Sequence, residues 1–322
     1  MNFIDLFCGI GGFRIAFERA GGKCVFSSDI DKYACETYQS NFNDYPLSDI
    51  TKIHENNIPD FDVLCAGFPC QPFSIGGLRK GFHDTRGTLF FDVERIIRHN
   101  KPKAFILENV KGLVNHDGGK TLKTILNKIG EKINGETNTE KFEDCLNYFV
   151  HYKVINSKDF GVPQNRERIY IIGFLKDVDF EFPKKHIKSI NLMDVIDQNV
   201  KSNSISPILK DNIDFHLKSH QKFNEIKNLK YLLAYEVRKS RSTFRFDNLS
   251  PTLTAKMGTG GNNVPVIVNL QRKLTTDECL KIQGYPDDYK IKFNNSQSYK
   301  QIGNSVSVPV VTALAKEISK FI

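Results

Sequence analysis

Residues 2–20 read NFIDLFCGIGGFRIAFERA, an apolar run followed by a glycine-rich turn and then by a pattern with helical spacing. The apolar run predicts a strand, and Gly9, Gly11 and Gly12 predict a turn that leads from the strand into a helix. Glycines let the backbone approach a ligand closely, and a helix N-terminus favours negative charge. The stretch therefore predicts a ligand site at the edge of a sheet, where a carboxylate of the ligand would meet the turn.

The alternation of short apolar runs with helical patterns continues to about Phe174. The runs KCVFSS, DVLCAG and AFILEN alternate with helical patterns such as DKYACETYQSNF and LFFDVERIIRHN. Such alternation is typical of a sheet covered by helices, so we predict an α/β, doubly wound, mostly parallel fold for residues 1–174. The runs FVHYKVIN and RIYIIGF predict strands that complete the sheet, and the polar stretch GEKINGETNTEKF before them predicts a surface excursion.

The composition changes between residues 175 and 246, which we assign, with approximate bounds, to a second and smaller domain. Lysine and asparagine become frequent there, and 14 Lys and Arg against 9 Asp and Glu give the segment a net charge of +5, out of +8 for the whole chain. Residues 247–322 are expected to return to the first domain. Their last helical pattern carries an apolar face that needs a surface to pack on, formed by Val310, Val311, Leu314, Ala315 and Ile318.

The net charge, the cysteine count and the lengths of the apolar runs limit the classes of protein to which the chain can belong. A net charge of +8 and a pI of about 9.0 suit a polyanionic partner. The seven cysteines are odd in number and form no CxxC pair, which favours neither a disulfide framework nor a metal site. Without an export signal, or an apolar run of the roughly 20 residues that a membrane span needs, the sequence predicts a soluble, cytoplasmic protein.

Two acidic positions follow the glycine turn. Asp29, at the end of the second predicted strand, is placed to accept hydrogen bonds from ribose hydroxyls; alternatively it caps the next helix, a role that Asp31 fills equally well. Asp49 and Ile50 are expected to close a third strand region and to meet an adenine ring, with a plain turn as the alternative. A nicotinamide dinucleotide is the usual competitor for such a site, but Arg14 stands where GxGxxG requires its third glycine.

The segment DVLCAGFPCQPFS describes a shaped loop around one cysteine. A predicted strand reaches Gly67, Pro69 fixes the backbone before Cys70, and Pro72 constrains Gln71 behind it. A thiol at the carboxyl edge of a parallel sheet points into the crevice where ligands bind. We interpret the other six cysteines as small buried hydrophobic residues.

Further polar and charged residues lie at the end of one later predicted strand and at the start of another. Glu108 and Asn109 end the apolar run AFILENV, where an acid would be partly desolvated and able to donate a proton. Gln164, Arg166 and Arg168 are spaced two apart in QNRERIYIIGF, so the sequence predicts that their side chains share one face. Charged residues are also common at the start of ordinary strands, which is the alternative.

Taken in order, these segments resemble bacterial cytosine-5 DNA methyltransferases of the restriction–modification type. The matching blocks are DLFCGIGGFR, SSDIDKYA, GFPCQPFS, RGTLFF, ENV, QNRERIYIIG, SPTLTA and GNSVSVPVV. They run from residue 5 to beyond residue 310 in the family's order, and only residues 175–246 lack recognisable matches. The resemblance implies a Rossmann-like methyltransferase sheet with a smaller target-recognition domain.

The resemblance also implies which residues act. Around S-adenosyl-L-methionine, which leaves as S-adenosyl-L-homocysteine, it places Phe7, Gly9, Ile10, Gly12, Asp29, Ile30, Asp49, Pro69, Leu89, Asn304 and Ser305, and the adenine argument adds Ile50. The implied catalytic residues are Cys70, Glu108, Arg166 and Arg168. Contacts to DNA are expected from the loop around and after the cysteine and from the second domain, at Gln71, Ser74, Arg79, Lys80, Arg86, Arg238 and Arg241. The pair Asp29-Ile30 departs from the family, where a Glu followed by an aromatic residue is frequent.

By that resemblance, Cys70 adds to C6 of a cytosine that has been flipped out of double-stranded DNA. Glu108 meets N3 and the exocyclic amine, Arg168 holds O2, and Arg166 supports the same pocket. The resemblance further implies a monomer that acts at a short duplex sequence in the bacterial nucleoid, with a cognate restriction endonuclease as a genetic partner. Two alternatives stay open, a transfer-RNA cytosine-5 methyltransferase and a catalytically silent DNA-binding regulator.

Overall fold

The computed structural model describes most of the chain, namely residues 1–69, 89–185, 190–200, 203–227, 229, 232–260, 262–293 and 295–322. An eight-stranded sheet forms its centre. The strands are β1 (Asn2–Leu6), β2 (Lys23–Ser28), β3 (Val63–Ala66), β4 (Ala104–Val110), β5 (Gly130–Ile133), β6 (Glu136–Thr137), β7 (Tyr148–Asn156) and β8 (Glu167–Phe174).

Helices lie between and after these strands. They are α1 (Gly12–Arg19), α2 (Lys32–Phe42), α3 (Leu89–Asn100), α4 (Lys120–Ile129), α5 (Pro207–Lys218), α6 (Phe223–Ile226), α7 (Thr276–Gln283), α8 (Asn295–Asn304) and α9 (Val308–Ile318). In the described part of the chain, no helix is long and apolar enough to span a bilayer.

The strand order in the large sheet is β2-β1-β3-β4-β8-β7-β5-β6. Strands β1 to β4 are parallel to one another, and β8 is antiparallel to both of its neighbours, β4 and β7. The predicted α/β, mostly parallel sheet is confirmed, and the runs FVHYKVIN and RIYIIGF form β7 and β8. The carboxyl ends of β1, β3 and β4 therefore meet along one edge of the sheet, where the predicted site residues follow them.

The polar stretch at residues 130–142 is not the surface excursion that we predicted. Its first residues form β5, which pairs parallel with β7, and a hairpin then adds β6 at the edge. The turn is Asn134-Gly135, with φ of 49° and 87°, and Asn-Gly is the strongest short signal for a two-residue hairpin. The prediction was wrong because it weighed polarity above turn chemistry.

Both faces of the large sheet are buried. On β4, Phe105 and Leu107 belong to the core that α3 and α4 cover, whereas Ala104 and Ile106 belong to the core that α1 and α9 cover. Because alternate residues of a strand point to opposite faces, two-sided burial requires a nearly continuous apolar run. This explains why the central strands read as nearly continuous apolar segments in the sequence.

The last helix, α9, packs against α1 on the surface of the sheet. Its buried residues are the five that share a face in the sequence, together with Val308. The C-terminal residues therefore form part of the same core as the first strand and the first helix of the chain.

Replacing Leu314 with alanine should destabilise the fold by about 2–5 kcal/mol, because it removes a buried leucine side chain from a packed core. Leu314 is fully buried between α9 and the sheet. Urea unfolding of the variant measures the loss, and Lys316→Ala, an exposed change on the same helix, should stay within about 0.5 kcal/mol of the parent. Equal stability of the two variants would contradict this packing.

A second, four-stranded sheet lies in the later part of the chain, in the order β10-β9-β11-β12. Its strands are β9 (Leu233–Tyr235), β10 (Thr243–Arg245), β11 (Val266–Ile267) and β12 (Arg272–Lys273). Helices α5 and α6 pack on it around a core that includes Leu209, Ala234 and Val266. The small sheet thus takes strands from both sides of residue 246.

A further apolar cluster joins the C-terminal segment to the N-terminal turn. It combines Ile10 and Ile15 with Leu280 of α7 and Ile302 of α8. A buried ion pair between Arg272 and Glu278, with Nη2 and Oε1 2.7 Å apart, lies at the start of this segment. The chain after the small sheet is therefore packed against the residues that form the glycine turn.

Candidate active site

The turn between β1 and α1 has an unusual backbone. Phe7, Gly9 and Gly11 all adopt positive φ, at 55°, 53° and 78°. The amide of Gly11 donates to the Cys8 carbonyl at 2.8 Å, which closes the turn. A Cβ added at Gly9 would have no heavy atom within 4 Å, so open space lies beside this part of the turn.

Asp29 lies beneath this turn and holds it. Its carboxylate accepts hydrogen bonds from the amides of Gly9 and Asp31, both at 2.8 Å. Burial raises the pKa of Asp29. The cap of helix α2 is Asp31, which accepts from the amides of Tyr33 and Ala34. The structure therefore assigns capping to Asp31 and leaves Asp29 beside the glycine turn.

We predicted that Asp49 and Ile50 close a third strand region, and this prediction was wrong. Asp49 begins a 3₁₀ turn at Ile50–Lys52 and accepts from the amide and the hydroxyl of Thr51, at 3.1 and 2.7 Å. The side chain of Ile50 is buried in the sheet core, with 3 % of its surface exposed, whereas Ile30 is 69 % exposed. The open apolar surface beside the turn is therefore that of Ile30, and the plain-turn alternative for Asp49 describes the backbone correctly.

The C-terminal segment closes the other side of the turn. A Cβ added at Gly12 would lie only 2.7 Å from Val306 Cγ2 and 3.1 Å from Ser305 Oγ, so only glycine fits there. The hydroxyls of Ser305 and Tyr285 are hydrogen-bonded to each other, and Asn304 is exposed at the end of α8. The sequence did not single out Tyr285, because its hydrogen-bond partner, Ser305, is 20 residues further along the chain.

Glu108 and Arg168 meet at the carboxyl end of β4. Arg168 Nε lies 3.1 Å from Glu108 Oε1, and both side chains are largely buried, with 13 % and 11 % exposed. The antiparallel pairing of β4 with β8 brings them together, because it sets Val110 opposite Arg168. The two charged residues that the sequence places sixty positions apart thus form one pair.

The segment that leads to Cys70 lies against this pair. Asn109 Nδ2 donates to the Phe68 carbonyl at 2.9 Å, and a Cβ added at Gly67 would lie 3.7 Å from Glu108 Oε2. One oxygen of Glu108 therefore faces Arg168 and the other faces Gly67, while Pro69 is exposed. The remaining residues of this loop that we predicted to act lie outside the described part of the chain, namely Cys70, Gln71, Ser74, Arg79, Lys80 and Arg86.

The other six cysteines are poor candidates for a nucleophile. Burial is the largest cause of a raised pKa in each of them, and it raises the pKa of Cys24, the least buried, to about 12. A thiol must lose its proton to attack, so a raised pKa disfavours attack by these side chains at neutral pH. The six are Cys8, Cys24, Cys35, Cys65, Cys145 and Cys279.

Arg166 is buried and binds backbone. Its guanidinium donates to the carbonyls of Leu253 and Ser305 at 2.6 Å, and to that of Gly303 at 3.4 Å. Burial is the main cause that lowers its pKa to about 9, and the charge of Arg168 adds to the effect. Arg166 thus joins β8, the SPTLTA segment and the loop after α8.

Gln164 makes a similar set of contacts. Its amide group donates to the Ile282 carbonyl and to Gln283 Oε1, and its oxygen accepts from the Leu253 amide at 3.0 Å. Gln164 and Arg166 therefore bind the C-terminal segment, whereas Arg168 contacts Glu108. We predicted that the three side chains share one face of a strand. Only Arg168 lies within β8, because Gln164 and Arg166 precede the strand.

The basic residues of the second domain are partly paired. Arg238 Nη2 donates to Asn263 Oδ1 at 2.7 Å, and the exposed Arg241 lies 3.3 Å from Glu236. Arg245 pairs with Asp247. A cleft between the small sheet and the first domain is lined by Asn165, Tyr235, Arg245, Thr252, Lys256 and Asn263, among others.

These features define a class of protein, in which a glycine turn over a buried acid lies beside an acid–arginine pair at the edge of one α/β sheet. The sequence profile of C-5 cytosine-specific DNA methylases matches residues 1–320, and the chain belongs to that family. It is a DNA (cytosine-5) methyltransferase of the type II restriction–modification kind.

The relatives cover nearly the whole chain. The type II methyltransferase M.HpaII of Haemophilus parainfluenzae is 43 % identical over 98 % of this chain and 88 % of its own length. M.HhaI of Haemophilus parahaemolyticus is 40 % identical over 99 % and 94 %. Among solved structures, a putative DNA modification methyltransferase from an E. coli prophage matches with a TM-score of 0.71 at 21 % identity, covering 100 % of this chain and 99 % of the other. The S. pombe Dnmt2 methyltransferase matches with 0.70 at 18 %, covering 99 % and 98 %.

Proposed function

We propose that this enzyme transfers a methyl group from S-adenosyl-L-methionine to C5 of a cytosine flipped out of duplex DNA, through a covalent bond between Cys70 Sγ and C6. The observation that carries the proposal is the buried pair of Glu108 and Arg168, which lies against the residues that precede Cys70. Flipping is required because none of the reacting atoms can be reached inside a stacked duplex.

C5 of cytosine is too weak a nucleophile to accept a methyl group unaided. When the thiolate of Cys70 adds to C6, the C5–C6 double bond opens and its electron pair becomes available at C5. After C5 has accepted the methyl group, loss of the C5 proton to a base restores the double bond and expels the thiolate. The cysteine is thus regenerated, and the ring gains one methyl group in exchange for one proton.

The charges of Glu108 and Arg168 suit these reaction steps. Electron density pushed onto the ring is relieved when the Glu108 carboxyl group gives a proton to N3 and accepts from the exocyclic amine, while Arg168 holds O2. The contacts of Glu108 with N3 and the exocyclic amine also distinguish cytosine from thymine, which carries a proton on N3 and a carbonyl at C4; O2 is common to both bases. Arg166 supports the pocket from behind, since its two terminal nitrogens, Nη1 and Nη2, donate to carbonyls of the C-terminal segment.

The glycine turn and its surroundings fit a cofactor with a carboxylate, a ribose and an adenine. Open space lies beside Gly9, the Asp29 carboxylate lies under the turn, and Ile30 offers an exposed apolar surface. When bound, S-adenosyl-L-methionine supplies an electrophilic methyl group on a sulfonium centre. The residues proposed to hold it are Phe7, Gly9, Ile10, Gly12, Asp29, Ile30, Asp49, Pro69, Leu89, Asn304 and Ser305. Ile50, which we expected to pack on the adenine, is not among them because its side chain is buried in the sheet core.

We propose that the basic second domain reads a short duplex sequence through residues such as Arg238 and Arg241, which lie near the cleft beside the small sheet. Phosphate contacts position such a domain, and contacts to base edges specify the sequence. In a restriction–modification system the product would protect host DNA from a cognate endonuclease. The enzyme is proposed to act as a monomer.

The substrate can be tested directly with methyl-tritiated S-adenosyl-L-methionine and either duplex DNA or transfer RNA. We expect label in duplex DNA, and bisulfite sequencing of a plasmid from cells expressing the gene should then find one protected cytosine in a recurring short sequence. Label in transfer RNA alone would contradict the duplex substrate. No transfer to either nucleic acid would instead favour a silent DNA-binding protein.

A further inference from the structure

The glycine turn has a backbone conformation that suits glycine better than other residues. Three of its five residues from Phe7 to Gly11 have positive φ, and one of them, Phe7, carries a side chain. A residue other than glycine in this region costs of the order of 1–3 kcal/mol, and such a conformation persists only where its surroundings enforce it. The contacts that hold the turn therefore matter for any ligand that the turn binds.

Neighbours in the first domain supply some of these contacts. The amide of Cys8 donates to the Ser28 carbonyl at 3.1 Å, and that of Gly9 donates to Asp29 at 2.8 Å. A further contact comes from the other end of the chain, because the Tyr289 hydroxyl donates to the Ile10 carbonyl at 2.6 Å. These two residues are 279 positions apart.

Tyr289 is itself firmly placed. Its ring meets that of Tyr285 with centroids 4.6 Å apart, in an edge-on arrangement. The next residue, Lys290, is tied to helix α2 by two hydrogen bonds with Asn41, at 2.7 and 2.9 Å. The hydroxyl is therefore held at the turn by contacts on both sides, and the Ile10 carbonyl has a fixed partner.

We propose that Tyr289 is a positioning residue for the cofactor, which holds the glycine turn in its binding conformation through the Ile10 carbonyl. The inference rests on the proposed function in one respect, namely that the ligand of the turn is S-adenosyl-L-methionine. Without the hydroxyl, the turn samples relaxed conformations that bind poorly, and apparent affinity falls with the fraction that remains competent. The chemical step is untouched, because Tyr289 acts through the backbone.

The test is Tyr289→Phe, which removes the hydroxyl and keeps the ring. We expect the Kd for S-adenosyl-L-homocysteine, measured by titration calorimetry, to rise by about tenfold, the effect of one lost hydrogen bond to a largely buried carbonyl. The KM for S-adenosyl-L-methionine should rise in parallel, with kcat within about twofold of the parent. Amide hydrogen exchange at residues 8–12 should be faster in the variant without any ligand.

A matched control is Tyr148→Phe, because the Tyr148 hydroxyl also donates to a buried carbonyl, that of Pro102, at 2.8 Å. It lies on β7, away from the turn, so this variant should bind the ligand as the parent does. Equal Kd values for the Tyr289→Phe variant and the parent would overturn the inference, as would equal losses in both variants. If the parent itself binds no S-adenosyl-L-homocysteine, the proposed function fails and the inference falls with it.

Discussion

The Cys70→Ala variant is expected to lose methyl transfer by more than about 10³-fold, because the thiolate is the group that turns C5 into a nucleophile. The fold and the cofactor site should survive, so binding of S-adenosyl-L-homocysteine should match the parent. The six remaining cysteines are not expected to substitute, since burial raises the pKa of each of them. Single-turnover transfer of labelled methyl groups to duplex DNA measures the loss.

Duplex DNA that contains 5-fluorocytosine at the target gives a second measurement. Fluorine at C5 cannot leave as a proton does, so the thioether to C6 persists, and the parent enzyme should form a denaturant-stable adduct whose peptide carries the base at Cys70. The Cys24→Ala variant is the control, and it should form the adduct at the rate of the parent. An adduct in the Cys70→Ala variant, or none in the parent, would disprove the covalent mechanism.

Glu108→Gln is expected to slow single-turnover methylation by about 10²–10⁴-fold, the contribution of a positioned acid or base. Glutamine preserves the size of the side chain, but it cannot give a proton to N3 as charge develops on the ring. The cysteine adduct with 5-fluorocytosine should also form more slowly, because protonation at N3 relieves the charge that addition of the thiolate at C6 places on the ring.

The matched control for this variant is Glu94→Gln. Glu94 is likewise a buried carboxylate paired with an arginine, Arg98, but it lies on helix α3 rather than at the end of β4. Loss of stability without loss of rate is expected there. If the Glu108→Gln variant reacts within about threefold of the parent rate, the carboxyl group takes no part in the chemistry.

The sequence predicted the features that depend on local patterns. The apolar runs of β1, β3 and β4, the glycine turn and the apolar face of α9 each follow from residue spacing, and the structure contains them all. Glu108 and Arg168 were predicted to act in one pocket, and the antiparallel pairing of β4 with β8 brings them to 3.1 Å.

Features that depend on backbone acceptors were not predictable in the same way. Arg166 binds three carbonyls, and Tyr289 binds a fourth. Every residue has a carbonyl, so these partners leave no mark in the sequence. The hairpin at Asn134-Gly135 is a different case, because its turn signal was present and was outweighed by the polar composition around it.

The hydrogen bond from the Tyr289 hydroxyl to the Ile10 carbonyl also has a consequence for the growing chain during synthesis. A ribosome makes Ile10 of the glycine turn 279 residues before it makes Tyr289, so until then the nascent polypeptide carries a turn that lacks one of its supports. A product that ends before Tyr289 lacks this support and would bind the methyl donor more weakly.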